Sequence, residues 1–86
     1  MKHRQFKTEC ICIVTINKKT FACNELREVK KKIYTQGTRG EKYRIDVIDK
    51  RTRILNDIYL MMYTREGPIF QKQMYSRWKE ERENLS

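Results

Sequence analysis

Residues 42–49 read KYRIDVID, and apolar and charged side chains alternate along them. Tyr43, Ile45 and Val47 are apolar, whereas the residues between them are charged. Because successive side chains of a β-strand point to opposite faces of a sheet, a period of two is typical of a strand with one buried face. The stretch therefore predicts a strand that is solvated on one side.

A second strand is predicted to return from this one after a turn at residues 49–52. If Lys50 and Arg51 form a two-residue loop, Val47 faces Ile54 and Tyr43 faces Ile58. In that register the inner face of the returning strand carries Ile54, Ile58, Leu60 and Met62, and the other face carries Arg53, Leu55, Tyr59, Met61 and Tyr63. Residues 53–64 also fit a helix through Ile54, Ile58, Met61 and Met62, so strand and helix both stay open.

The segment before residue 42 predicts a helix. Asn24 can cap a helix that begins at Glu25. Acidic residues in the first turn of this helix and lysines in its later turns also complement the helix dipole. Leu26, Val29 and Ile33 form its apolar stripe. Gly37 is expected to end the helix, because the loop 37–40 has a glycine at each end and permits positive φ values.

The N-terminal part of the chain predicts a hairpin. Residues 8–16 read TECICIVTI and are apolar on both alternating sets, as in a central strand that is covered on both faces. Asn17 and Lys18 predict a tight turn, and residues 19–23 predict the second strand.

The C-terminal part predicts a second helix after a break at residues 65–68. Pro68 suits a first helical position because its missing N–H would be unpaired there. Phe70, Met74 and Trp78 recur every four residues, which is the spacing of one helix face. We expect a helix from about Pro68 to Glu83.

Together these elements predict an α+β fold: a small single sheet of about four mainly antiparallel strands with two helices, in the order β-hairpin, helix, β-hairpin, C-terminal helix. A chain of 86 residues has room for one hydrophobic core, so we expect a single domain over residues 1–86. Residues 1–7 are expected to form a flexible basic arm and residues 84–86 a frayed C-terminus.

The charge of the chain is strongly positive and unevenly distributed. Twenty Lys and Arg residues against 11 Asp and Glu residues give a net charge of +9. Residues 57–86 carry five basic and five acidic side chains, so the whole excess precedes Asp57. A localised excess predicts a face of positive potential, for which polyanions are natural partners.

The apolar runs and the cysteines indicate a cytoplasmic protein that does not cross a membrane. No run approaches the roughly 18 apolar residues of a membrane span, and no signal-peptide pattern follows the basic N-terminus. Cys10, Cys12 and Cys23 are odd in number, which argues for reduced thiols. Cys10 and Cys12 share a strand with isoleucine and valine and are expected to be buried and inert.

Several kinds of chemistry lack their residues in this sequence. Neither glycine-rich phosphate-binding motif occurs, and His3 is the sole candidate for a histidine base. Cys10, Cys12 and Cys23 with His3 are the one candidate zinc set, and a Cys-x-Cys pair inside an apolar strand fits zinc-ligand spacing poorly. We therefore expect no catalytic residue, no metal and no cofactor.

A basic surface is the predicted binding site. Its members come from the helix, the glycine loop and the second hairpin, which are consecutive in the chain: Lys30, Lys31, Lys32, Arg39, Lys42, Arg44, Lys50, Arg51 and Arg53. Tyr59 and Tyr63, if exposed beside these cations, would add a stacking platform for unpaired bases, and with Trp78 they are candidate interface residues. Covering of that face by Phe70, Met74 and Trp78 is the alternative.

These features favour a non-enzymatic nucleic-acid-binding protein that contacts the phosphate backbone with weak sequence specificity, on DNA or RNA. The alternative is a protein-interaction module that acts as inhibitor or adaptor and recognises an acidic protein surface. Both interpretations are compatible with a homodimer. A third interpretation is a small basic ribonuclease of toxin type, because Lys, Arg and Tyr alone can stabilise the charge that develops in RNA cleavage.

Overall fold

The computed structural model describes residues 9–79, which form one five-stranded sheet with a helix on one of its faces. The strands are β1 (Cys10–Ile16), β2 (Lys19–Cys23), β3 (Lys42–Asp49), β4 (Leu55–Thr64) and β5 (Gly67–Ser76), and the helix α1 (Leu26–Gln36) lies between β2 and β3 in the chain. The strand order in the sheet is β2-β1-β3-β4-β5, and all neighbours are antiparallel. The predicted α+β class with one antiparallel sheet is confirmed, with five strands in place of about four.

The first hairpin follows its prediction. β1 lies inside the sheet, between β2 and β3, as predicted. It is not covered equally on both faces, because alternate residues from Cys10 to Ile16 are buried whereas Ile11 and Ile13 are only partly buried and Thr15 is exposed. Asn17 and Lys18 both have positive φ, of 50° and 69°, which a type I′ turn requires. The Asn17 side chain also donates a hydrogen bond of 2.7 Å to the Gln36 carbonyl, so the turn is tied to the end of α1.

Helix α1 begins and ends close to the predicted residues. Glu25 occupies the N-cap position instead of Asn24. At the other end, Gly37 has an extended backbone and not the expected positive φ. A side chain is nevertheless excluded there, because a Cβ on Gly37 would lie 2.6 Å from the Ile33 carbonyl oxygen. Neither α1 nor any other helical segment in residues 9–79 is long and apolar enough to cross a membrane.

The core lies between α1 and the face of the sheet beneath it. Val29 and Ile33 are the buried residues of α1, and Leu26 packs beside them. Alternate residues of the sheet complete the cluster: Cys10, Cys12, Val14, Ile16, Cys23, Tyr43, Ile45, Val47, Tyr59, Met61 and Tyr63. The predicted apolar stripe of the helix and the predicted inner face of β3 are therefore confirmed.

Most of residues 53–64 form the strand β4 and not a helix, but the predicted register is wrong. Val47 pairs with Asp57, three residues further along β4 than predicted. A shift by an odd number of residues exchanges the two faces of a strand. The exchange puts Tyr59, Met61 and Tyr63 in the core and Ile58, Leu60 and Met62 on the opposite face.

The β3–β4 turn explains this shift. Its loop has four residues, because the Asp49 N–H donates to the Ile54 carbonyl at 2.9 Å and closes the turn there. The Asp49 carboxylate accepts hydrogen bonds from two backbone N–H groups inside the turn, and Arg53 has a positive φ of 63°. The longer loop moves the register by two residues, and an irregularity between Val47 and Ile48 moves it by one more.

The predicted C-terminal helix is wrong from Pro68 to Ser76, which belong to the strand β5. The chain reverses at Gly67, which has a positive φ of 116°, and the Thr64 hydroxyl donates a 2.8 Å hydrogen bond to the Gly67 carbonyl. β5 then pairs with β4 along its length. Pro68 is compatible with this arrangement because it lies near the start of an edge strand.

Residues 67–76 form a strand although Phe70, Met74 and Trp78 have helical spacing, because the strand gives their backbone groups hydrogen-bond partners on β4. Phe70 and Met74 are exposed, so the three side chains do not form a buried helix face. Residues 77–79 are helical. The rest of the predicted helix, to Glu83, lies outside the described residues, as do the predicted arm 1–7 and the predicted frayed end 84–86.

Candidate nucleic-acid interface

One side of α1 is basic and exposed. Arg27, Lys30, Lys31 and Tyr34 lie at positions i, i+3, i+4 and i+7, so they share one side of the helix. All four are exposed, and they lie beside the stripe through Val29 that packs into the core. Three cations and one aromatic ring therefore face the same region of solvent.

These side chains line a groove between α1 and the start of β5. We call it the α1–β5 groove; its volume is about 410 Å³ and its lining residues are Arg27, Lys30, Lys31, Tyr34, Thr35, Glu66, Gly67 and Pro68. Three cationic side chains stand against the carboxylates of Glu66 and of Glu25, which pairs with Arg27 at 3.4 Å, so the surroundings of the groove carry a net positive charge.

Arg39 extends the positive charge beyond the groove. Its guanidinium lies 5.9 Å from the centroid of the Tyr63 ring, and the Tyr63 ring centroid lies 6.2 Å from that of Tyr34. Of the nine predicted basic residues, Lys30 and Lys31 therefore line the groove, and Arg39 lies next to Tyr63 outside it.

The basic residues next to them in the sequence face other directions. Lys32 lies on the other side of α1, with its Nζ 5.1 Å from the Phe21 ring centroid. Lys42 and Arg44 alternate with the buried residues of β3, so they point away from α1. Arg44 also pairs with Asp46 at 2.7 Å. These three predicted site residues are thus separated from the α1–β5 groove.

Lys50, Arg51 and Arg53 occupy the β3–β4 turn, at the far end of β3 from the loop 37–40. At about 3.4 Å per residue, the length of β3 separates the two ends by roughly 24 Å. The single basic surface predicted from the sequence is therefore divided between the groove, the other side of α1, the opposite face of the sheet and this turn.

Of the two alternatives for Tyr59 and Tyr63, an exposed platform or a covered face, the structure has the covered one, since they are 2% and 6% exposed. The Tyr63 hydroxyl donates a 2.9 Å hydrogen bond to the Tyr34 carbonyl, and the Tyr59 ring packs edge-on against Phe70 at 5.6 Å. Trp78 is half-buried, and the Arg77 guanidinium lies 5.2 Å from its ring. The two tyrosines therefore belong to the core and not to a stacking surface.

Of the groove residues on the basic side of α1, the predicted site omits Arg27 and Tyr34. Their sequence signal is the spacing that they share with Lys30 and Lys31 on one helix side. No comparable signal marks the wall formed by Gly67 and Pro68, because that wall depends on β5, which the sequence pattern predicts as helix.

A buried polar cluster joins β4 to β5 and to residue 77. The Gln73 side chain donates a 2.9 Å hydrogen bond to the buried Asp57 carboxylate. Asn56, also buried, accepts a 3.2 Å hydrogen bond from Arg77 and donates to the Cys10 sulfur at 3.4 Å. Buried polar groups need such partners, so we assign this cluster a structural role.

The thiols are buried, as predicted for Cys10 and Cys12. Cys12 and Cys23 lie directly opposite each other on β1 and β2. Burial, and then the neighbouring Cys23, raise the pKa of Cys12 from its ordinary value of 9.0 to about 12. Burial also raises the pKa of Cys23, with a further contribution from Glu28. Thiols that keep their protons at neutral pH are poor nucleophiles and poor metal ligands.

Alkylation tests this conclusion. In the folded chain pH 8 is far below the raised pKa of Cys12, so the thiol keeps its proton. Unfolding returns the pKa to its ordinary value and exposes the sulfur. Iodoacetamide is therefore expected to modify Cys12 about 100-fold or more slowly in buffer than in 8 M urea, as measured by mass spectrometry. Equal rates in the two solutions would show that the thiol is accessible and ionised in the folded chain.

Within residues 9–79, no group of three or more His, Cys, Asp or Glu side chains could hold a metal ion. His3, the fourth member of the candidate zinc set, lies outside this range. Comparisons with protein-family models, with curated proteins and with solved structures find no match for the chain.

Proposed function

We propose that this protein binds nucleic acid, without cleaving it, through contacts between the phosphate backbone and the α1–β5 groove. The observation that carries the proposal is the convergence of Arg27, Lys30 and Lys31 on one groove, where the neighbouring carboxylates are those of Glu66 in the lining and of Glu25 beside Arg27. Cations spaced along one helix side can neutralise several phosphates and release the counterions condensed on the nucleic acid. That release supplies affinity without reading the base sequence.

The groove cations are available to a ligand. Lys30 and Lys31 are exposed, and Arg27 lies 3.4 Å from Glu25 in an ion pair whose two side chains are half-exposed. Exposed ion pairs contribute only about 0 to 1 kcal/mol, so a phosphate can replace Glu25 as the partner of Arg27. The cations outside the groove add to the positive potential that attracts a polyanion.

Weak sequence specificity is part of the proposal. Reading of duplex sequence usually inserts a helix or a β-ribbon into the major groove. The apolar stripe of α1 is buried against the sheet, which leaves for a ligand the side that carries Arg27, Lys30 and Lys31. Phosphate contacts from this side position a strand without selecting its bases.

A salt titration of the full chain tests the proposal. The affinity for a labelled oligonucleotide, measured by fluorescence anisotropy, is expected to fall about tenfold or more between 50 and 200 mM salt, with a linear dependence of log affinity on log salt. The oligonucleotide is expected to stay intact throughout. A flat salt response, or no binding at 50 mM salt, would contradict the proposal.

A second candidate function, a protein-interaction module, is favoured by the edge strand β5. Ile69, Phe70 and Met74 are all exposed on it, and it is ten residues long. An edge strand of this length with exposed apolar side chains can pair with a strand of another chain, either a second copy or a protein with an acidic surface. A stoichiometric partner that survives nuclease treatment of a lysate would favour this function over nucleic-acid binding.

A further inference from the structure

Tyr34 is an exposed aromatic ring that is held in place from one side. The Tyr34 residue is 59% exposed. The Tyr63 hydroxyl donates a 2.9 Å hydrogen bond to the backbone carbonyl of Tyr34. The rings of Tyr34 and Tyr63 are tilted at 38° to each other, with centroids 6.2 Å apart. A Cβ added to Gly67 would lie 3.8 Å from the Tyr34 ring, so the turn packs closely on it. These contacts fix the Tyr34 backbone and place Tyr63 beside one side of the ring, while much of the residue's surface stays open.

The α1–β5 groove has the size and the lining to receive a flat ring beside Tyr34. Its volume of about 410 Å³ falls within the range of roughly 300 to 1,000 Å³ for small-molecule sites. Pro68 and Gly67 give it an apolar wall, which suits the face of an aromatic ring. Lys30 and Lys31 lie one turn of helix before Tyr34, so a phosphate next to a ring stacked there is within reach of a cation.

We infer that the groove binds an unpaired nucleobase of a single-stranded nucleic acid, stacked on Tyr34, while the flanking phosphates contact Arg27, Lys30 and Lys31. The inference rests on the proposed function and names the class of nucleic acid. Stacking on an aromatic side chain requires a base whose face is free, whereas bases inside a duplex are stacked on their neighbours. Such stacking tolerates any base, in agreement with a site whose other contacts are phosphates.

The experiment uses the full chain, the variants Tyr34→Leu and Tyr34→Phe, and three labelled probes with equal numbers of phosphates: oligo(U), oligo(dT) and a duplex hairpin. The wild-type chain is expected to bind at least one single strand more tightly than the hairpin. Tyr34→Leu is expected to lose about 5- to 150-fold in affinity for that strand, the equivalent of one stacked base. Tyr34→Phe keeps the ring face and is expected to stay within about twofold of the wild type.

Two readouts separate lost stacking from other effects. The salt slope of Tyr34→Leu is expected to equal that of the wild type, because no cation is removed. Its affinity for the hairpin is expected to be unchanged. Leucine keeps an apolar contact with Tyr63 and Gly67, and a thermal melt followed by circular dichroism checks that the variant is folded.

The outcomes distinguish this inference from the proposed function. If salt-dependent binding persists but Tyr34→Leu leaves single-strand affinity unchanged, or weakens hairpin and single strand equally, base stacking is wrong and phosphate binding stands. A loss of affinity in Tyr34→Phe equal to that in Tyr34→Leu also overturns stacking, because the hydroxyl then matters and not the ring. If no probe binds in a salt-dependent manner, both proposals fail.

Discussion

Replacing Arg27, Lys30 and Lys31 together by glutamate is expected to weaken nucleic-acid binding about 100-fold at 50 mM salt. Each substitution removes one phosphate contact and adds a negative charge to a groove that already contains Glu66. The slope of log affinity against log salt is expected to fall by about 2, since each lost contact accounts for roughly 0.7 to 0.9. Fluorescence anisotropy over a salt series measures both quantities.

The matched control is the triple replacement of Lys50, Arg51 and Arg53 by glutamate. It changes the net charge by the same amount, at exposed positions at the other end of β3. We expect an affinity loss of about threefold or less at the same 50 mM salt, because charges further from the ligand than the Debye length, which is about 14 Å at this salt, are largely screened. Equal losses in the two triple variants would mean that binding depends on total charge and not on the α1–β5 groove.

Tyr59→Ala is expected to lower the free energy of unfolding by about 3 to 5 kcal/mol. The Tyr59 ring is 2% exposed, lies in the core beneath α1 and packs against Phe70. Truncation removes the burial of a large ring and leaves a cavity that the surrounding strands fill only in part. Urea unfolding followed by circular dichroism measures the change.

Leu60→Ala is the matched control for this substitution. Leu60 is the next residue of β4 and lies on the opposite face of the sheet, where it is only half-buried. Its truncation is expected to cost about 1 kcal/mol, since less apolar area leaves water on folding. A larger cost for Leu60→Ala than for Tyr59→Ala would contradict the β3–β4 register, because the two-residue loop predicted from the sequence buries Leu60 and exposes Tyr59.

The candidate site was predictable only in part. Lys30 and Lys31 belong to the predicted basic residues and line the groove, and Arg39 lies beside it. Arg51, in the same predicted set, is a strand length away, because proximity in sequence across a hairpin does not bring the two ends of a strand together. The aromatic partner in the groove is Tyr34 and not Tyr59 or Tyr63, since the faces of β4 exchange when its register shifts by an odd number of residues.

Local pattern determined the elements whose signals act over a few residues. The alternation of β3, the apolar stripe Leu26, Val29 and Ile33, and the turn at Asn17 and Lys18 all occur where the sequence predicts them. The reason is physical: side-chain period and turn geometry are set by neighbouring residues. The basic side of α1 is likewise a feature that local sequence determines, because it follows from helical spacing alone.

Tertiary structure decided the register of β4 and the secondary structure of residues 68–76. The register depends on hydrogen bonds of the Asp49 carboxylate inside the turn and on an irregularity in the β3–β4 pairing, where Asn56 of β4 has no partner in the register. Residues 68–76 have the spacing of a helix face, yet they form β5 because β4 offers an edge whose backbone groups need partners. The α1–β5 groove exists only once that edge is filled, so its second wall depends on strand pairing and not on the local sequence pattern.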